Sequence, residues 1–261
     1  MPLTARGVAP AKLDLSEGKM SDVLTAQAGA PAAPKKRGGV VLVFQLLATP
    51  AWFLGTLFGG AGRLNWARGW ISVVMCVAGM SAVGLIARHY NAGLLEARAN
   101  WRFKDSKPFD KLFFVVYVPL LVIQPAVAGL DAARFRWSAL SFGFVYAGAI
   151  LFALAMVMIA WVMAVNPYAE ASVRIQTERG HRVITSGPYR IVRHPMYVGA
   201  ILMYLAMPLV WGSVGALVIS GIISALVIWR TGREDQILRQ ELAGYEAFAA
   251  RTRYRLMPGL W

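Results

Sequence analysis

The stretch "MYVGAILMYLAMPLVWGSVGALVISGIISALVIW", Met196 to Trp229, is predominantly apolar, and its only strongly polar interruption is Trp211-Gly212-Ser213. Glycine followed by serine is turn chemistry, and each flank has the length of a helix. The stretch therefore predicts two apolar helices joined by a tight turn, a helical hairpin. Each arm falls slightly short of the ~20 residues that cross ~30 Å of hydrocarbon. Whether the arms span a thinned bilayer or pack among other helices stays open at this level.

Similar apolar runs recur upstream, at about residues 40–58, 70–86, 112–127 and 139–163. With 57% hydrophobic residues, 15% charged residues and a mean hydropathy of +0.52, the chain is far from an average soluble domain. The expected fold is an all-α integral membrane protein of five to six transmembrane helices, with the hairpin at its C-terminal end. Residues 1–38 are expected to form a cytoplasmic tail, 39–229 the transmembrane domain and 230–261 a cytoplasmic C-terminal segment. Residues 1–34 are polar, rich in Ala, Pro and Gly, and hold no apolar core, so a disordered arm rather than a cleavable signal is expected.

Lys35-Lys36-Arg37 precedes the first apolar run, which sets the tail on the cytoplasmic side. Six crossings then leave only Arg63, Arg68, Arg134 and Arg136, of 27 basic residues, on the outer side. Both termini are thus expected in the cytoplasm. This asymmetry accounts for the net charge of +14 without a nucleic-acid partner; the partner is the lipid bilayer. The lone Cys76 sits inside an apolar run, which argues against a disulfide or a thiolate zinc site, and no metal site is expected.

This topology brings two polar segments, 174–195 and 230–261, to one cytoplasmic face. In the second, Leu238, Leu242, Tyr245 and Phe248 recur at three- and four-residue spacing, which predicts a helix with an apolar stripe. Guanidinium, imidazole, carboxylate and aromatic groups gathered there suit a ligand with a carboxylate, an ammonium or ribose hydroxyl, and a flat base. S-adenosylmethionine has those parts, and a nucleotide or an anionic headgroup has several of them. The glycine-rich "FGGAGR" at 58–63 ends an apolar run instead of following a strand, so it is no dinucleotide fingerprint. Neither a P-loop, an HExxH nor a GxSxG string occurs.

The strings "HRVITSGPYRIVRHPMYVG" at 181–199, "RTGREDQIL" at 230–238 and "GYEAFAARTRYRLMPGLW" at 244–261 resemble the isoprenylcysteine carboxyl methyltransferase and phospholipid methyltransferase superfamily, in its bacterial form. The likeness is closest over the C-terminal third. Upstream, "NAGLLEARANWRFKDSKPFDK" at 91–111 resembles a cytoplasmic loop of bacterial members. The resemblance implies a membrane enzyme whose cofactor, S-adenosyl-L-methionine, lies between the hairpin and a C-terminal helix that closes the site. It implies cofactor contacts from His181, Arg182, Val183, Ile184, Tyr189, His194, Pro195, Met196, Tyr197 and Glu234. It also implies Arg230 and Glu234 as the catalytic pair, with Arg230 toward the methyl acceptor. The acceptor would be lipidic or small and apolar: an isoprenylcysteine-type carboxylate, a phospholipid amine or a small thiol. Where the superfamily often has two glutamates this chain has Glu234-Asp235, and Gln176 and Arg174 both stand near the place of a cofactor-binding glutamine.

Plainer readings exist for the same residues. Arg190 and Arg193 suit positive-inside anchors, and Arg230–Glu234 and Asp235–Arg239 suit surface pairs one helical turn apart, worth little. Tyr189, Tyr197 and Trp261 suit an interfacial aromatic belt, and Pro195 a helix start. Two other functions share features with the chain. Membrane sterol reductases, which use NADPH, have an Arg-His-Pro string and a "YRLMP"-like ending, and a non-catalytic degenerate member is the third reading.

Overall fold

The computed structural model describes residues 51–99, 106–138 and 140–261. The expected tail and most of the first expected span, 40–58, lie outside the described residues. Those described form seven α-helices and no strand: α1 (Ala51–Ala61), α2 (Ala67–Ala99), α3 (Pro108–Ala128), α4 (Gly143–Val165), α5 (Pro195–Trp211), α6 (Val214–Glu241) and α7 (Tyr245–Arg251).

Four helical stretches, α2, α3 with its continuation, α4 and α6, are long and apolar enough to cross a membrane. Their outward faces carry Val74, Val77, Leu85, Val115, Ile150, Val157 and Val218, each more than half exposed. So much exposed aliphatic surface is unfavourable in water and suits a lipid surround.

α2 runs past the expected end of its span at Ile86, through the polar Arg88-His89-Tyr90, to Ala99. Its backbone kinks at Asn91, whose Nδ2 donates to the carbonyls of Met163 and Ala164, at 2.8 and 2.6 Å. Those carbonyls belong to the last turn of α4 and have no helical partner of their own, so the kink and the helix end satisfy each other. α3 opens with Pro108, where a missing N–H costs nothing, and holds Pro119 and Pro125 further on. It continues as a π-helical turn, Gly129–Phe135, that ends at Arg136 in the left-handed conformation.

The hairpin expected from residues 196–229 is found as α5 and α6, joined through Gly212 and Ser213. Gly212 has φ +80°, a conformation natural to glycine, and Ser213 accepts the Ala216 N–H at 3.0 Å as the cap of α6. The Ser213 hydroxyl donates to buried Asp131, 2.6 Å away, which also takes the Gly215 N–H and the Ser138 hydroxyl. α5 also packs extensively on α4. Gly148 and Gly199 allow the close approach: a Cβ on Gly148 would stand 2.8 Å from the Ala206 carbonyl oxygen and 2.9 Å from the Val210 nitrogen. α6 meets α3 through Gln124 Nε2, which donates to Ser220 Oγ at 2.6 Å.

The single helix expected from the stripe Leu238, Leu242, Tyr245, Phe248 is two helices. α6 stops at Glu241, Gly244 turns the chain at φ +82°, and α7 follows. The stripe nevertheless stays together: Leu242, Tyr245 and Phe248 are buried in one cluster with Leu238 at its edge. Apolar spacing reports which side chains share a core, and here the core is continuous where the helix is not.

Candidate active site

At the end of the bundle where α2 and α4 finish, residues 166–194 fold as a loop with two short 3-10 turns, Thr177–Arg179 and Gly187–Arg190. This loop, the ends of α2 and α6, the starts of α3 and α5, and α7 surround a cavity of about 430 Å³. The wall formed by α6 gives its depth order, since Val227, Arg230, Glu234 and Leu238 face the cavity on successive turns and Leu242 follows just past the helix end. On the deep side the walls are apolar and aromatic, with Phe113, Phe114, Tyr117, Met203 and Tyr204. On the shallow side they are charged, with Arg98, Glu170, Arg174 and Arg182, beside the imidazole of His181.

Arg230 stands where the two halves meet. It is nearly buried, and its guanidinium lies 4.7 Å from the ring centre of Phe113, 5.3 Å from that of Phe114 and 5.4 Å from that of Tyr197. Its Nε donates to Asp110 Oδ1 at 2.7 Å and its Nη2 to the Ala171 carbonyl at 2.7 Å. Arg230 and Glu234 are therefore not the surface pair that their spacing allows. Glu234 instead accepts a short hydrogen bond from the Tyr197 hydroxyl, and His194 Nδ1 is 3.9 Å from its other oxygen.

Asp235, next in sequence, points elsewhere because successive helical residues are turned by about 100°. It is fully buried and binds Arg193 through two contacts, 2.7 and 3.2 Å, together with Arg255 at 3.0 Å, Arg239 at 3.2 Å and the Tyr245 hydroxyl at 2.9 Å. His194 Nε2 is 3.2 Å from the same carboxylate and 3.3 Å from the Tyr245 hydroxyl. Arg193 also donates to the carbonyls of Thr252 and Arg253, while the N–H groups of Arg193 and His194 donate to the carbonyls of Tyr254 and Arg255. Asp235 and Arg193 thereby pin the C-terminal segment 252–255 to the start of α5. Burial and the nearby Asp235 charge hold the Tyr245 phenol well above its usual range, so it stays protonated and donates.

The loop has its own frame. Gln176 is buried, with Nε2 donating to the Tyr168 carbonyl and Oε1 accepting from Arg179, so its side chain faces the loop interior. Arg174, the other residue near the expected glutamine place, lines the cavity and pairs with Glu170 and Glu178 at 2.9 and 2.6 Å. His181 leans on Tyr168 at 4.5 Å between ring centres, and its Nδ1 accepts the Gln176 N–H at 3.3 Å. Burial, then the Arg174 charge, lowers the His181 pKa and keeps the ring neutral. Tyr189 takes a hydrogen bond from Asn166 Nδ2 at 2.6 Å.

Of the residues singled out by sequence, His181, Arg182, Val183, Ile184, Tyr189, His194, Met196, Tyr197, Arg230 and Glu234 all line this one cavity. Pro195 does not; it occupies the first turn of α5. Asp110 escaped the sequence reading. It sits in a "KPFDK" run that has the look of a solvated loop, and only the fold reveals it as buried and joined to Arg230.

A helical bundle suited to lipid thus holds one cavity whose lining is charged toward one end of the helices and aromatic deeper in. Residues 144–243, from α4 through the end of α6, match the family profile described as phospholipid methyltransferase. No curated protein matches the chain. The matched region holds Glu234, Arg230 and the loop, but not α2, α3 or Asp110.

Proposed function

We propose that this protein is a membrane-embedded S-adenosylmethionine-dependent methyltransferase whose acceptor is lipidic or small and apolar. The observation that supports it best is the single cavity in which Glu234 and the charged loop adjoin, through Arg230, a chamber of aromatic and aliphatic side chains. The matched superfamily and the membrane-length helices support the same reading at a coarser level.

The donor set suits the cofactor part by part. Arg98 and Arg182 offer cations to a carboxylate, Glu234 offers an acceptor to an ammonium or ribose hydroxyls, and Tyr189 and Tyr245 offer ring faces to a base. The bound cofactor supplies a methyl group already activated by its sulfonium, so no covalent enzyme intermediate is needed. The protein's task is to align the acceptor, keep water out and balance the positive charge that transfer removes. Phe113, Phe114, Tyr117, Met203 and Tyr204 would hold the apolar body of the acceptor, with Arg230 at the reacting end. A carboxylate acceptor needs no base. An amine or thiol must lose a proton, for which Glu234 is the candidate; Asp235 is buried and fully engaged by its partners.

The test is calorimetric titration of S-adenosylhomocysteine into the full chain in detergent, for the native protein and Glu234→Ala. Native binding that weakens at least tenfold in the variant, with helical content retained, supports the reading. Binding of NADPH in place of S-adenosylhomocysteine would refute it in favour of a reductase.

A further inference from the structure

Arg230 has a partner that neither its sequence neighbourhood nor the matched region contains. Asp110, in the first turn of α3, is fully buried and both of its oxygens are in use. Oδ1 takes the Arg230 Nε–H at 2.7 Å and Oδ2 takes the Val173 N–H at 3.0 Å. Phe113, three residues on and so on the same face of α3, lies against the guanidinium. One turn of α3 thus supplies Arg230 with a counter-charge and a ring to rest on, and the Ala171 carbonyl takes one of its Nη2 protons.

Two consequences follow from this geometry. The Nε and Nη2 edge of the guanidinium is committed to Asp110 and Ala171, which leaves the Nη1 edge for a ligand in the cavity. The charge of Arg230 is also compensated at contact distance, so an anion in the chamber meets an ion pair rather than a free cation. Glu234, one turn away, adds a further negative group to the same wall.

We propose that Asp110 is a positioning and specificity-determining residue: it aims Arg230 and cancels its charge, so that the chamber favours an acceptor with an uncharged headgroup over a carboxylate. The proposal rests on the methyltransferase reading above and narrows its acceptor. Arg230 then acts as a hydrogen-bond donor of fixed direction instead of an electrostatic trap. Selection against anions comes from the ion pair and from Glu234 together.

The experiment compares two probes of equal chain length, dodecanoate and dodecanamide, bound to the full chain in detergent with S-adenosylhomocysteine saturating. In the native protein dodecanamide should bind more tightly. In Asp110→Asn, where the arginine charge is left uncompensated, the ratio should shift toward dodecanoate by about tenfold. In the double variant Asp110→Asn with Arg230→Gln, which has no charge at either position, the shift should disappear. A merely structural role for Asp110 would weaken both probes alike and leave the ratio unmoved, which overturns the proposal. A native preference for dodecanoate also overturns it, and that measurement does not depend on any variant folding. Native protein that fails to bind S-adenosylhomocysteine refutes the methyltransferase reading itself. Bound S-adenosylhomocysteine with an unshifted probe ratio refutes this proposal alone.

Discussion

Replacing Asp235 with alanine should loosen the C-terminal segment and weaken the site. The carboxylate is fully buried, and the Arg193 side chain that it binds through two contacts is 3% exposed. Removing one partner of a buried ion pair costs about 3–5 kcal/mol, because the other charge is left without compensation. Arg193 keeps the carbonyls of Thr252 and Arg253, which favours the lower end, about 3 kcal/mol. Arg239 and Arg255 are roughly a third exposed, so losing their contacts adds at most about 0.5 kcal/mol each. The assay is reversible unfolding in mixed micelles, run as a double-mutant cycle with Arg193→Ala, beside protease nicking of residues 242–261. A coupling above about 1.5 kcal/mol and faster nicking near the C-terminus are the expected results. A loss below about 1 kcal/mol for Asp235→Ala, the size of a surface pair, would refute the view of Asp235 as the pin.

Three further outcomes are expected. Gly148→Ala should destabilise the bundle by about 1–3 kcal/mol, because its Cβ would press on the backbone of α5, whereas Gly84→Ala, with no atom within 4 Å, should be neutral or stabilising; unfolding midpoints of the two variants separate these. The His181 pKa is lowered in the fold, so stability is unaffected while the ring is neutral above its unfolded value and is lost as pH falls through that value toward the folded one. His181→Gln should flatten that decline, seen as an unfolding midpoint that changes less between about pH 7 and 5. Tyr197→Phe removes the hydroxyl that donates to Glu234 and should weaken S-adenosylhomocysteine binding roughly fivefold, about 1 kcal/mol, by calorimetry.

The parts legible in the sequence are those set by local chemistry. Gly212 and Ser213 announce the hairpin turn because one supplies a left-handed backbone and the other a helix cap. The contacts implied by resemblance fall on one cavity, Pro195 apart, because 181–199 and 230–238 carry their pattern within short strings. What escaped depends on partners distant in the chain. α2 outlasts its apolar run because Asn91 finds the end of α4. Asp110 gains its meaning only where the start of α3 meets α6. Asp235 reads as a shortened copy of its neighbour until helical rotation turns it toward Arg193 and away from the cavity.

The most direct test of the central claim is methyl transfer itself. Purified full-length protein, in bilayer discs made from a total bacterial lipid extract, is given S-adenosylmethionine labelled on the methyl carbon, and the organic phase is then counted. The account predicts label in an apolar product with stoichiometric S-adenosylhomocysteine in the aqueous phase, both lost in Glu234→Ala. Protein that binds the cofactor yet moves no label into any extractable acceptor, lipid or added small thiol, would contradict it.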